Sequence, residues 1–391
     1  MRKMLFLFFI AISCAISNVP AQAVLSAASI PTVFDEFLKL PALANPAVVL
    51  IDGRSGEVVY EKNSFSQRKP ASVMKIFSAA AALTYLAPEK IFTTQIWLGS
   101  QPKTLVIQGT LDPWISLSDS VAQKMNRASL PYLAFNALSS IKKNNGGSLK
   151  NITVEYAGLY SQDIANLKSF WAKRGLKPTM KSVAPDKALL DSSEFIVGDE
   201  SPDLSKILDF TLKWSDNLLA ERLARLSSQA AGFPMNDVGV QMTFEQLLTS
   251  LEIDSTKLVV ADASGLSKVN RITASMLGKL LFKLRNNPQY QLLYDSLPVG
   301  GVSGTLRYRF LTTAPSAIGL VRAKTGTLNG TVTLAGYVES TDREYIFVTL
   351  ADEIPRGTRA SDKARAAIDR LLGRIAAPNI PAEISEVTPE P

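Results

Sequence analysis

The sequence contains no histidine and a single cysteine, Cys14. Without histidine a Ser-His-Asp triad cannot be built, and any acid–base chemistry must run on other side chains. With one cysteine there is no intramolecular disulfide. The two absences together remove ordinary zinc, haem and iron–sulfur sites. Only an all-oxygen metal site stays open, and no EF-hand-like spacing offers one. No metal and no cofactor is implied. Beyond the N-terminal region no apolar stretch is long enough to predict a membrane-spanning helix. No Lys/Arg-rich run and no basic patch interleaved with aromatics points to nucleic acid.

What is present is an ordinary globular balance, 46% apolar and 20% charged over 391 residues, with length for more than one domain. The formal net charge of +7 suits residence near an anionic polymer such as a cell wall or membrane face, although a mildly basic chain names no partner by itself. The N-terminus reads as a secretory signal over residues 1–23. Arg2 and Lys3 form its positive end, Leu5 to Ile16 its apolar stretch, and Ala21-Gln22-Ala23 its cleavage site. The mature chain then starts near Val24 and has lost Cys14. A lipoprotein anchored through Cys14 is the alternative, and Ala11-Ile12-Ser13 before it fits that pattern poorly.

Ala47 to Ile51 and Glu57 to Tyr60 flank an Asp-Gly-Arg-Ser-Gly turn and predict a hairpin. Pro70 and Pro88 bracket an almost wholly apolar helix that Ser72 opens; such a helix must be buried. Residues 91–197 differ in texture and read as an inserted smaller domain. Strands are expected there near Lys103–Gln108 and Asn151–Tyr156. A polar stretch from Ser139 to Lys150 separates them, with Asn144 to Gly147 as a loop. Leu204, Ile207, Leu208 and Leu212 then share a helical face. Ser215-Asp216-Asn217 reads as a break before a second helix. Three strands follow, Gly319–Thr325, Thr331–Glu339 and Glu344–Ala351, with Lys324-Thr325-Gly326 ending the first. A helix from about Arg359 to Ile375 closes the globular part, and 377–391 reads as a disordered tail. The fold class is α+β, an antiparallel sheet built from both chain ends, a terminal helix on it and an all-α portion between. The main domain takes residues 24–90 and 198–376.

Three short strings carry the chemistry. The chain holds five Ser-x-x-Lys strings, so the pattern alone is weak, but only Ser72-Val-Met-Lys75 opens a buried helix. There Lys75 can reach the Ser72 hydroxyl, and burial lowers a lysine's pKa until its amine can act as a base. The helix start adds N–H groups and a positive dipole end. A capping serine beside a snorkelling lysine is the plainer reading of that string taken alone. Ser215-Asp-Asn217 offers a hydroxyl for proton relay and an amide for a substrate carbonyl. Lys324 and Thr325 could bind a carboxylate beside Gly326, where backbone can approach closely. Each is unremarkable singly; it is their conjunction and order that point to a serine nucleophile activated by lysine.

In these three elements the chain resembles the penicillin-recognising serine D,D-peptidases and β-lactamases. Further strings narrow the resemblance to the D-alanyl-D-alanine carboxypeptidase/endopeptidase branch that includes penicillin-binding protein 4. They are Ser201-Pro-Asp-Leu204, Ser215 through Glu221, Asp262-Ala-Ser-Gly-Leu-Ser267 with Asn270, Leu297-Pro298 with Gly301 and Gly304-Thr-Leu306, and Leu105 to Gly109 with Asp112-Pro113. The resemblance implies a β-lactamase/transpeptidase-like domain with an insertion. It implies Ser72 as the acylated nucleophile, Lys75 as its base, Ser215 as proton shuttle and Asn217 as a holder of the substrate amide. Lys324 and Thr325, with Gly326, would bind the terminal carboxylate, and the N–H groups of Ser72 and Thr327 would form the oxyanion hole. The partners implied are peptidoglycan stem peptides and β-lactam antibiotics. The location implied is secreted, periplasmic or cell-wall associated. The insertion looks shorter than is usual in that branch, which bears on side-chain preference. The rival readings are a β-lactamase on the same scaffold and a non-catalytic cell-wall binding protein. The long gap from Ser72 to Ser215 opposes the first, and the intact Ser72, Lys75, Asn217 and Lys324 oppose the second.

Overall fold

The computed structural model describes residues 30–340 and 343–376. The expected signal segment 1–23, the start at Val24 and the tail 377–391 lie outside them. Two five-stranded sheets organise the chain. The first joins β1 (Ala47–Asp52) and β2 (Val58–Lys62) to three late strands. The second holds β3 (Phe92–Gly99), β4 (Thr104–Gly109), β5 (Thr153–Ala157), β6 (Thr179–Ser182) and β7 (Ser192–Ser201). The late strands are β8 (Val321–Leu328), β9 (Thr331–Glu339) and β10 (Glu344–Ala351). The first sheet runs β2-β1-β10-β9-β8 and is antiparallel throughout.

The central strands of the first sheet are buried on both faces, which is why β1 and β10 read as continuous apolar runs rather than alternating ones. Alternate residues still part to opposite sides. Val49, Ile51, Ile346 and Val348 pack into the helical half of the molecule, around the helix Lys75–Tyr85. Val48, Leu50, Tyr345 and Phe347 pack against the helices Ile30–Leu38 and Thr358–Ala376. The helix Lys75–Tyr85 is buried from Lys75 to Leu83, as a helix apolar on every side must be.

The second sheet runs β6-β5-β4-β3-β7 and is mixed. Strands β4, β5 and β6 are parallel, while β3 is antiparallel to β4 and β7. Parallel neighbours need crossovers, supplied here by the helices Leu130–Asn144 and Ser161–Ala172. Ile96, Leu105, Ile107, Leu133, Val154 and Trp171 form a core separate from the two around the first sheet. This sheet extends through Ser201, past the boundary expected at 197.

Three expectations need correction. Ser72 does not sit on the α-helix; it lies in a 3-10 turn, Ala71–Met74, and the α-helix begins at Lys75. The polar stretch from Ser139 is helical through Asn144, because its polar residues occupy the outer face of a helix whose inner face holds Leu133, Ala137 and Ile141. Lys324-Thr-Gly326 lies inside β8 and does not end it, because the hairpin turn comes only at Asn329-Gly330.

A buried ion pair joins a helix packed on the second sheet to one in the helical half of the main domain. Asp163, on the helix Ser161–Ala172, accepts from Arg222 on the helix Asn217–Ala230 at 2.9 Å. Arg222 also donates to the carbonyl of Pro113 and lies 4.2 Å from the centre of the Tyr160 ring. Removing one partner leaves a buried charge uncompensated. Asp163→Ala is expected to lower stability by about 3–5 kcal/mol in urea unfolding. A loss below about 1 kcal/mol would mean that water reaches Arg222 on truncation.

Candidate active site

The segment before Ser72 is fastened to the first sheet at several points. Asp352, just past β10, accepts from the Arg68 side chain and from the Lys69 N–H, both at 3.0 Å. Thr333 on β9 donates to the Pro70 carbonyl at 2.8 Å. Ala71 then takes a left-handed backbone, φ 47°, which a residue with a Cβ rarely adopts. That kink turns the chain into the 3-10 turn carrying Ser72. Its opening N–H groups have no acceptor within the turn. With three residues per turn, side chains three apart eclipse, so Lys75 lies against Ser72. Its Nζ is 3.1 Å from Ser72 Oγ.

Lys75 has no exposed surface. Its other two hydrogen bonds go to Asn217 Oδ1 and to the Ser264 carbonyl, both at 2.7 Å. Burial pushes its pKa down to about 8, against the opposing pull of Asp262, Asp216 and Glu221. The partners are held in turn. Asp216 caps the helix Asn217–Ala230 through the Leu219 N–H, which sets Asn217 at the helix start. Glu221, one turn on from Asn217, accepts from the Ser264 N–H at 2.8 Å. Asp262 gathers the N–H groups of Gly265, Leu266 and Ser267, and Asn270 Oδ1 takes those of Ala261 and Asp262. The turn bearing the Ser264 carbonyl is thereby fixed.

Ser215 takes the left-handed conformation, φ 60°, that ends the helix Leu204–Trp214, and it is half-buried. Its hydroxyl makes no hydrogen bond among the described residues, so it is placed at the junction but not joined to Lys75. Lys324 is fully buried, and its Nζ donates to the Thr325 carbonyl at 3.0 Å. Burial, reinforced by Lys75, holds its pKa well below the ordinary lysine range. The Thr325 hydroxyl lies 2.8 Å from that of Thr305.

The register of β8 decides which backbone groups face Ser72. Leu328 pairs with Thr331 across the two-residue turn, so even-numbered residues of β8 bond to β9 and odd-numbered ones turn to the sheet's open edge. Along that edge Val321 and Ala323 are taken by Gly300 and Pro298. Thr325 and Thr327 come next, where the Ser72 turn approaches. Gly326 marks the closeness, since a Cβ there would lie 2.9 Å from the Ser72 nitrogen. On the other side, a Cβ on Gly265 would lie 1.8 Å from the Ala71 carbonyl oxygen. Arg365, from the helix Thr358–Ala376, donates to the Thr327 hydroxyl at 3.2 Å.

Sequence reasoning thus named Ser72, Lys75, Asn217, Lys324, Thr325, Gly326 and Thr327 at one locus, with Ser215 at its edge. It quoted Glu221 and Asp262 without giving them a task. The signal was there for Glu221, four residues past Asn217 on the same helical face. Ser264 and Thr305 lie within strings that the resemblance singled out, Asp262–Ser267 and Gly304–Leu306, but were given no task; Arg365 acts through a contact between segments distant in sequence, and no local pattern marks it.

The sequence model of the D-Ala-D-Ala carboxypeptidase 3 (S13) family matches residues 32–193 and 147–375. The chain belongs to that family. It is 30% identical to "Carboxypeptidase DacB" of Mycolicibacterium smegmatis, over 85% of this chain and 83% of that one. It is 26% identical to a "D-alanyl-D-alanine carboxypeptidase" of an Actinomadura species, over 80% of this chain and 79% of that one. Among solved structures, penicillin binding protein 4 of Haemophilus influenzae superposes with a TM-score of 0.67 at 18% identity, covering 88% of this chain and 98% of that one. At that identity the likeness speaks for the fold alone, which is the one that penicillin binding protein 4 adopts. Among the described residues no helix is long and apolar enough to cross a membrane.

Gly265 is the position where the fit around Ser72 is tightest. Its φ of +85° already disfavours a side chain, and the added Cβ would strike the Ala71 carbonyl. Gly265→Ala is expected to cost at least about 1–2 kcal/mol, from the backbone conformation alone. Urea unfolding measures it. An unchanged midpoint would show that the 262–267 turn can move away from Ser72.

Proposed function

We propose that this S13-family protein is a secreted serine D,D-peptidase. It attacks the D-Ala-D-Ala bond of peptidoglycan stem peptides, or the equivalent cross-link, through an acyl-enzyme on Ser72, and penicillins acylate the same serine. The observation that carries the reading is the set of three partners around Lys75 Nζ. Asn217 Oδ1 and the Ser264 carbonyl can only accept, so they claim two N–H bonds of the amine. The remaining tetrahedral position points at Ser72 Oγ. In the neutral amine that position is the lone pair, aimed at the proton to be removed. A pKa near 8 leaves about a tenth of the amine neutral at pH 7, far more than an ordinary lysine would offer.

The rest of the cycle follows from the neighbouring groups. As Lys75 takes the proton, Ser72 Oγ bonds to the substrate carbonyl carbon. The oxygen's growing charge is met by the N–H groups of Ser72 and Thr327. The C–N bond then breaks, and Lys75, with Ser215 as relay, returns the proton to the leaving amine. Water repeats the sequence, its hydroxyl joining the acyl carbon and its proton restoring Ser72. Asn217 turns its amide nitrogen outward, because its oxygen faces Lys75, and so can donate to a substrate carbonyl. Lys324 and Thr325 receive the terminal carboxylate.

Intact mass after adding benzylpenicillin tests the reading. A long-lived single adduct is expected, and Ser72→Ala should abolish it. Fast opening of the drug with no lasting adduct would favour a β-lactamase, and no reaction would favour a binding protein. The pH dependence is a separate test. Lys75 is protonated below about 8 and neutral above, so the acylation rate should rise about tenfold per pH unit toward 8 and then level. A rate flat from pH 6 to 9 would remove Lys75 as the base.

A further inference from the structure

We infer that the surface built from Trp214, Arg307 and Tyr308 is a subsite for the leaving strand, and that cross-linked peptide dimers are preferred over free pentapeptides; this rests on the D,D-peptidase reading above. The three side chains come from two segments that meet at the mouth of the site. Trp214 directly precedes Ser215 and is 47% exposed, and Tyr308 is 76% exposed. The Arg307 guanidinium lies 4.6 Å from the centre of the Tyr308 ring and 5.4 Å from that of Trp214. It makes no ion pair among the described residues. A cation resting on two solvent-facing rings is poorly explained by folding, since exposed aromatic surface gains nothing from burial.

Two contacts fix where this surface lies. Gly304, with φ +52°, packs so closely on the Lys213 carbonyl that a Cβ would sit 2.5 Å from it, which locks the 303–308 loop to the end of the Trp214 helix. Thr305 meets Thr325 hydroxyl to hydroxyl at 2.8 Å. Thr325 is the carboxylate end of the proposed site, so the platform continues from the side through which the leaving group departs. A free pentapeptide releases one small amino acid there and has nothing to extend over Trp214 and Tyr308. A cross-linked dimer releases a whole second peptide, whose alkyl stems can lie on the rings and whose free carboxylates can pair with Arg307. Exposed Val302 and Leu218 add apolar surface on the two segments involved.

The test is steady-state cleavage of two substrates, a purified cross-linked muropeptide dimer and the matching monomeric pentapeptide, by the wild-type protein and by Arg307→Ala and Tyr308→Ala. The wild type should open the dimer with the higher kcat/KM. Each variant should lose about tenfold on the dimer, through KM, and less than twofold on the pentapeptide. Benzylpenicillin acylation, which needs no leaving strand, reports that each variant is folded. Equal losses on both substrates, no loss on the dimer, or a wild type that trims pentapeptide but leaves dimer intact would overturn the subsite. A wild type that neither turns over pentapeptide nor forms a penicillin adduct would overturn the peptidase reading, and the subsite with it.

Discussion

The site depends on keeping an amine dry. Lys75 has no exposed surface, so its charge is disfavoured and its pKa falls. Burial alone would leave an amine with unsatisfied hydrogens. Here two fixed acceptors take them and so dictate where the third valence points. Both acceptors are secured by carboxylates with other duties. Asp216 caps the helix that starts at Asn217, and Glu221 and Asp262 hold the turn that carries the Ser264 carbonyl. The same three carboxylates oppose the fall in pKa. The architecture therefore sets a compromise. Enough nearby negative charge keeps a buried lysine tolerable, and enough desolvation brings its pKa down to about 8.

A second constraint is the open edge of β8. A sheet edge offers N–H and carbonyl groups at a regular spacing. In this fold most of that edge is used, since Pro298 and Gly300 cover it up to Ala323. What remains at Thr325 and Thr327 faces the Ser72 turn, and Gly326 allows the two to come within contact. Edge, turn and helix start thus converge on one point. The left-handed Ala71 is the local strain that this convergence requires, and the Asp352 and Thr333 contacts before it hold the chain in that conformation.

What could be read from the sequence divides along physical lines. Strands β9 and β10 and the helix Leu204–Trp214 were legible because their apolar pattern is local and bounded by turn residues. The hairpin position of Lys324 was misjudged because a strand end is set by its partner's register, which no single segment shows. The 3-10 turn at Ser72 was read as α-helix because both place residues three apart together; the difference comes from Asp352 and Gly265, distant in sequence. The mixed second sheet was the least legible part. Its parallel pairing depends on crossovers through the helices Leu130–Asn144 and Ser161–Ala172, whose apolar faces are short and broken by polar residues. The three strings could be named together without any of this, because their conjunction and order carry the resemblance; two sit at element junctions, whereas Lys324-Thr-Gly326 lies within β8.

Lys324 shows how far the electrostatics of the two lysines are linked. Both are buried, and the charge of Lys75 adds to burial in making Lys324 harder to protonate. Unlike Lys75, Lys324 has only the Thr325 carbonyl as a partner among the described residues. A carboxylate arriving at Thr325 would supply the missing counter-charge and restore the proton to Lys324. Lys75 is placed differently, because its two fixed acceptors and the carboxylates of Asp262, Asp216 and Glu221 are already in place without any ligand. The two buried amines of one site are therefore compensated by different means, Lys75 by groups of the fold itself and Lys324 by a single carbonyl among the described residues.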